Sequence, residues 1–127
     1  MTIERFDPFD GGFGFALATR HGSLVHTCGM AGFDPETGVA PEDFEDEVRL
    51  VFSNLANILE GVGTSLEHVV EETNFLVGDA ASVYPIFNKV RAEVFAGCLP
   101  ASTSVFVQSL AAPGFRCEVK LIAAIPN

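Results

Sequence analysis

The run Phe44-Glu45-Asp46-Glu47-Val48-Arg49-Leu50-Val51-Phe52-Ser53-Asn54-Leu55-Ala56-Asn57-Ile58-Leu59 decides the fold class of this chain. Its apolar residues Phe44, Val48, Val51, Phe52, Leu55, Ile58 and Leu59 recur at intervals of three and four, which gathers them on one face of an α-helix. The helix is predicted from Pro41 to Gly61: a proline stands near its start, Glu42, Asp43, Glu45, Asp46 and Glu47 favour the positive end of the dipole, and glycines close it. A helix with a single apolar face needs another layer to cover it, so the flanking segments determine the architecture.

On the N-terminal side, Phe15 to Arg20 and Ser23 to Cys28 read as two antiparallel strands turning at His21-Gly22. Asp34-Pro35-Glu36-Thr37-Gly38 then combines turn-forming residues that end the sheet segment and re-aim the chain. On the C-terminal side, Gly61-Val62-Gly63-Thr64 breaks the helix and Val69 to Val77 alternates as a strand. Asp79 to Ala96 is predicted helical, with Phe87, Val90 and Val94 on one side and Pro85 in the first turn. Ser102 to Val107 and Arg116 to Ile125 are the last strands, separated by the turn Ala111-Ala112-Pro113-Gly114. The order β-β-α-β-α-β-β predicts an α+β two-layer sandwich, one mixed sheet with two helices on one face. The other face of that sheet must be wet or covered by another subunit.

A chain of 127 residues, 48% hydrophobic, suits a single domain spanning residues 1–127. No repeat or linker divides it, and the acidic run Glu42 to Glu47 reads as a solvated helix N-terminus. The net charge of −10, from 17 acidic and 7 basic residues, opposes a phosphate backbone, so no nucleic-acid partner is expected. Apolar runs fall short of the roughly 20 residues that cross a bilayer, and Met1-Thr2-Ile3-Glu4-Arg5 does not open a signal peptide. A soluble, cytoplasmic protein without a membrane partner is the expectation. Cys28, Cys98 and Cys117 show no paired spacing, and His21, His26 and His68 form no HxH or HExxH pattern, so neither a disulfide framework nor a metal is implied.

Two stretches of the last quarter, Pro100-Ala101-Ser102-Thr103-Ser104-Val105 and Cys117-Glu118-Val119-Lys120-Leu121-Ile122-Ala123, with Asp34-Pro35-Glu36-Thr37-Gly38 and the helix Val51 to Leu59, carry a resemblance. From about Phe15 to Ala124 the chain resembles the reactive-intermediate deaminases, the YjgF-like imine deaminases also described as endoribonuclease L-PSP-like. That family shows Pro-Ala-Arg-Ser at the first of these stretches and Val-Glu-Ile-Glu at the second. Here Ser102 stands in the place of the arginine and Lys120 in the place of the second glutamate. The resemblance implies a chorismate-mutase-like fold and a homotrimer whose sheets line a central barrel, with ligand clefts between subunits. It also implies hydrolysis of an enamine or imine by deamination, without a cofactor, on a small anionic substrate. In the family the arginine holds the substrate carboxylate and an acidic residue on the last strand helps water add to the C=N carbon. A guanidinium fork matches a carboxylate, and a carboxylate can position or deprotonate water.

Strand alternation puts Glu118, Lys120 and Ile122 on one face, and likewise gathers Ser102, Ser104 and Phe106 on a face of their own strand. Glu118 and Lys120 are the candidate catalytic pair, Lys120 replacing the arginine as anchor while Glu118 positions water. The competing reading is an exposed Lys120–Glu118 ion pair of little consequence. By the resemblance, Phe15 takes the place of a tyrosine beside the substrate, Gly29 matches the glycine of a Ser-Gly pair, and Asn88 matches a helix asparagine near the cleft. Ser102, Ser104 and Arg91 are further candidates for substrate contact, and Arg116 for an anionic group. Core packing for Phe15, a structural turn for Gly29 and solvent exposure for Asn88 and the arginines are their alternatives. Cys28 holds the serine of the Ser-Gly pair and needs a base beside it to act as a nucleophile.

With the arginine and second glutamate replaced, the substrate is expected to differ from 2-aminoacrylate, towards a larger amino-substituted dienoic acid. A ligand-binding protein that has lost catalysis is the alternative. A ribonuclease acting as a translation inhibitor is a third reading, opposed by the acidity and the absence of a basic stripe.

Overall fold

The computed structural model describes residues 2–127. The helix that anchors the reading forms as α1, Phe44–Gly61. It starts later than Pro41 because Asp43 is the cap: extended itself, it accepts a hydrogen bond from the Asp46 amide at 3.0 Å. Glu45, Asp46 and Glu47 fill the first turn, and the predicted apolar face is buried, with Val48, Val51, Leu55 and Leu59 at 0% exposure.

Seven strands make one mixed sheet: β1 Ile3–Phe6, β2 Ala18–His21, β3 Leu24–Thr27, β4 Met30–Ala31, β5 Val69–Leu76, β6 Ala101–Phe106 and β7 Cys117–Ala124. Their order is β1-β2-β3-β7-β5-β6, with β4 beside β7 in continuation of β3. Only β5 and β6 pair in parallel; β7 lies antiparallel to both β3 and β5. The second helix, α2 Ala80–Val94, crosses between β5 and β6. It packs with α1 on the face formed by Cys117, Val119, Leu121 and Ala123, and Phe52, Phe87 and Phe95 fill the space between the helices. Phe52→Ala would remove the shared ring at a cost of about 3–5 kcal/mol. The mixed sheet with two helices on one face is therefore as expected.

Several local expectations change. Phe15 lies in the loop before β2, which begins only at Ala18, because the glycine-rich segment 11–14 turns the chain away from the sheet. The strand β1 has no clear alternation and is made by pairing Ile3–Phe6 with Ala18–His21. Between β3 and β4 the ladder is interrupted, and the Thr27 hydroxyl takes the amide of Leu121 at 2.9 Å in place of a backbone carbonyl. Pro85 is the sixth residue of α2 and not in its first turn; lacking an amide proton, it leaves the carbonyl of exposed Ala81 to solvent. The β2–β3 turn forms as read, with Gly22 at φ +64°.

Candidate functional site

Chain direction sorts the predicted site residues into two groups on opposite faces of the sheet. In β7, Glu118 and Lys120 point away from the helices, opposite Phe75 and Thr73 of β5. In β6, Ser102 and Ser104 lie beside Glu72 and Asn74, whose side chains are buried under the helices. A strand exposes alternate residues to opposite faces, so these two groups of one subunit cannot meet through its sheet.

Glu118, of the first group, faces a cavity of about 810 Å³. Glu118, Gly29 and Phe15 all line it, together with Phe9, Phe13 and Cys28. Gly29 is where the backbone comes against Glu118: a Cβ there would lie 2.9 Å from the carboxyl carbon and closer still to Oε2. Phe9, Phe13 and Phe15 come from the segment 7–15. Asp7 fixes its start by accepting amide hydrogens from Phe9 and Gly11 at 3.3 and 2.7 Å, and Gly11 and Gly14 turn it with φ of +78° each. Its three rings contact in sequence, Phe9 on Phe13 edge-on at 4.8 Å and Phe13 stacked on Phe15 at 5.8 Å. Asn54 of α1, also in the lining, ties the helix to the chain after β4 by donating to the carbonyls of Ala31 and Phe33 at 3.2 and 3.1 Å.

Glu118 has no ion-pair partner among the described residues. Lys120, two residues further on the same face, is exposed, lies outside the cavity lining and makes no ion pair with Glu118. The Cys28 thiol is pushed up first by burial and then by the charge of Glu118. It remains a neutral thiol near neutral pH, which disfavours its use as a nucleophile.

The second group is a polar cluster beneath α2. Glu72, 1% exposed, pairs with Arg91 at 3.1 Å. The same guanidinium donates to Ser102 and to Tyr84 at 2.8 Å each and closely to Asn88. Asn74 donates to Ser104 and Ser102 at 3.0 and 3.3 Å. Arg91, Asn88, Ser102 and Ser104 are thus brought together, apart from Glu118, Gly29 and Phe15, and a cavity of about 580 Å³ lined by Arg91, Ser102 and Ser104 opens beside them. All four hydrogens of the two terminal guanidinium nitrogens have protein acceptors, however, and Glu72 balances the charge. Glu72 Oε2 and Asn74 Oδ1 are buried without a hydrogen-bond donor.

Arg116 is likewise engaged within the protein. It pairs with fully buried Glu47 at 2.8 Å and donates to the carbonyls of Pro41 and Glu42. Glu47 also accepts the amides of Arg116 and Cys117, joining α1 to the start of β7. The helical spacing 44-47-48-51 carried a signal for Glu47, an acid inside an apolar face. Glu72 and Asn74 gave none, because Glu71-Glu72-Thr73-Asn74 is polar at every position. Phe9 and Phe13 were obscured by the glycines around them. Among the described residues no group of three His, Cys, Asp or Glu side chains could hold a metal, and no helix is long and apolar enough to cross a membrane.

This combination of a mixed sheet, two helices on one face and an acidic residue of the last strand against a glycine defines a recognisable class. The family model described as Endoribonuclease L-PSP matches residues 12–125, and the chain belongs to that YjgF-like family. It is 34% identical to the RutC family protein YjgH of Escherichia coli over 114 residues, 89% of this chain and 84% of that protein. A solved structure of YjgH superimposes with a TM-score of 0.81 at 30% identity, over 100% of this chain and 97% of that one. The structure of yeast Mmf1 gives a TM-score of 0.85 at 25% identity, over 98% and 100%. TdcF of Escherichia coli, provisionally named a reactive intermediate deaminase, is 30% identical over 70 residues, 54% of each chain.

Proposed function

We propose that this chain is a hydrolase that deaminates an enamine or imine at Glu118, in a cleft that neighbouring copies complete in a cytoplasmic homotrimer. The observation that supports the reading best is a carboxylate on the last strand, held against Gly29, without a cationic partner, in a cavity walled by aromatic rings. Such a carboxylate can orient water and accept its proton as the oxygen attacks.

The step balances without a cofactor. Water adds to the C=N carbon, forming the C–O bond while the π pair moves to nitrogen. Glu118 takes one proton from the water and returns it to nitrogen, giving a carbinolamine; it then carries the hydroxyl proton to nitrogen as the C=O bond forms and the C–N bond breaks, releasing ammonia and leaving a carbonyl. Gly29 keeps Glu118 in place and Phe15 forms part of the apolar wall. Ammonia release should be measured over a panel of freshly generated imines. Wild type should exceed the buffer rate, and Glu118→Gln should reduce the enzymatic rate by about 10²-fold or more. Release no faster than buffer over the whole panel would remove the deaminase reading.

A second reading, a ligand-binding protein without turnover, is favoured by one observation: Arg91, the guanidinium nearest Ser102, is committed to Glu72, Tyr84 and Asn88 within the fold. That protein would gain thermal stability with a ligand it does not consume.

A further inference from the structure

Glu118 is fixed twice over: Gly29 receives its carboxyl group, and the backbone just before it is held by a side chain of α1. On one side of β7 the ladder with β5 runs on to Cys117, but on the other side β4 ends at Ala31, the partner of Glu118. The two amides that precede Glu118, those of Cys117 and Arg116, donate to Oε2 of Glu47 at 3.2 and 2.6 Å. Glu47 is wholly buried, where a carboxylate requires its charge and lone pairs to be met. Arg116 Nε meets its other oxygen at 2.8 Å. Gly32, just past β4, leaves the room: a Cβ on that residue would overlap the Glu47 carbonyl oxygen and stand 2.8 Å from its Cγ.

The guanidinium extends the tie beyond β7. Its Nη2 donates to the carbonyls of Pro41 and Glu42 at 3.0 and 3.1 Å, and its carbon lies 5.3 Å from the centre of the Phe44 ring. Gly38, three residues before Pro41, and Phe115, next to Arg116, line the cavity that Glu118 faces. The ion pair therefore stands behind three parts of that lining while forming no part of it. The rest of β7 has other supports, since Val119 pairs with both Met30 and Asn74 and the Leu121 amide donates to the Thr27 hydroxyl. What depends on Glu47 and Arg116 is the chain immediately before Glu118 and the segment 38–42.

We infer that Glu47 and Arg116 are positioning residues for the Glu118 chemistry. Glu47 sets the carboxylate through the two amides before it, and Arg116 sets the wall carried by the segment 38–42. This role deepens the deaminase reading and rests on it for the reaction, though not for the geometry.

The full chain labelled with carbon-13 at its glutamate carboxyl carbons gives a direct readout, the Glu118 signal being identified by its loss in Glu118→Gln. Glu47→Ala should move that signal and lower kcat by about tenfold to 10²-fold, the effect of displacing a reacting group by up to about 1 Å. Glu47→Gln retains an oxygen for the two amides, and should restore the signal and bring kcat back to within about threefold of wild type. It removes the same charge as Glu47→Ala, so a signal that it restores reports position and not charge. Arg116→Lys keeps a charge but loses the fork that reaches Pro41 and Glu42, and should raise KM more than it lowers kcat. Should Glu47→Ala not fold, Arg116→Lys decides by the same readouts. A purely structural role would lower the thermal midpoint of the variants and leave kcat per folded molecule, KM and the Glu118 signal unchanged, which would overturn the inference. Glu47→Gln behaving no better than Glu47→Ala would overturn it as well. A wild type without turnover removes the deaminase reading, and the Glu118 signal alone then decides whether Glu47 positions the carboxylate. Turnover with full activity and an unmoved signal in Glu47→Ala does the reverse.

Discussion

Gly29 and Glu118 are fitted to each other: the position of a Cβ on residue 29 is occupied by the Glu118 carboxyl group. Gly29 is not in the left-handed region of backbone space, so the close approach, and not a turn, is what requires glycine here. Gly29→Ala should fold and displace the carboxylate, lowering ammonia release by about 10²-fold, the penalty of a misplacement near 1 Å. The measurement is kcat/KM beside a thermal melt. A melt near wild type with full activity would show that the position of Glu118 does not matter.

Lys120 stands on the same face as Glu118 but outside its cavity. Lys120→Met should therefore leave folding intact and change turnover by less than about twofold, as a surface charge with no fixed partner does. A tenfold loss would place Lys120 in the site as the substrate anchor in exchange for the missing arginine.

The Glu72–Arg91 pair is structural. Removing the guanidinium with Arg91→Met leaves a carboxylate buried without its counter-ion, at a cost of about 3–5 kcal/mol. Adding Glu72→Gln should recover at least half of the loss, because the uncompensated charge goes with it. Urea unfolding of the two single variants and the double variant checks this. Additive losses would mean that Arg91 acts through packing on Tyr84 and Phe87 instead.

Burial raises the Cys117 thiol above its ordinary value of 9.0, and the charges of Glu47, Glu118 and Glu72 act in the same direction. A thiol raised in the folded state keeps its proton when the unfolded chain has lost it. Its contribution to stability is complete below the ordinary value and declines as pH rises beyond it. Cys28 shifts in the same direction through burial and Glu118. Cys117→Ala should flatten the fall in stability above about pH 9, measured as the slope of unfolding free energy against pH. Thiol labelling should reach exposed Cys98 first and Cys117 only on unfolding.

Periodicity determined the two helices and the strand from Val69, and turn residues marked the other four strands and with them the α+β class, because burial on one face leaves a repeat in the sequence and a turn leaves its own residue types. The family resemblance supplied Glu118, Gly29 and Phe15, which the fold does bring around one cavity. Only the tertiary structure decided which of the candidates meet. Sheet register sent Glu118 and Lys120 to one face and Ser102 and Ser104 to the other, and pairing at the sheet edge created β1 from residues with no alternation. It also turned Arg91 and Arg116 inward to Glu72 and Glu47. Their partners lie 19 and 69 residues away, and charge pairing across such distances leaves no local pattern to read.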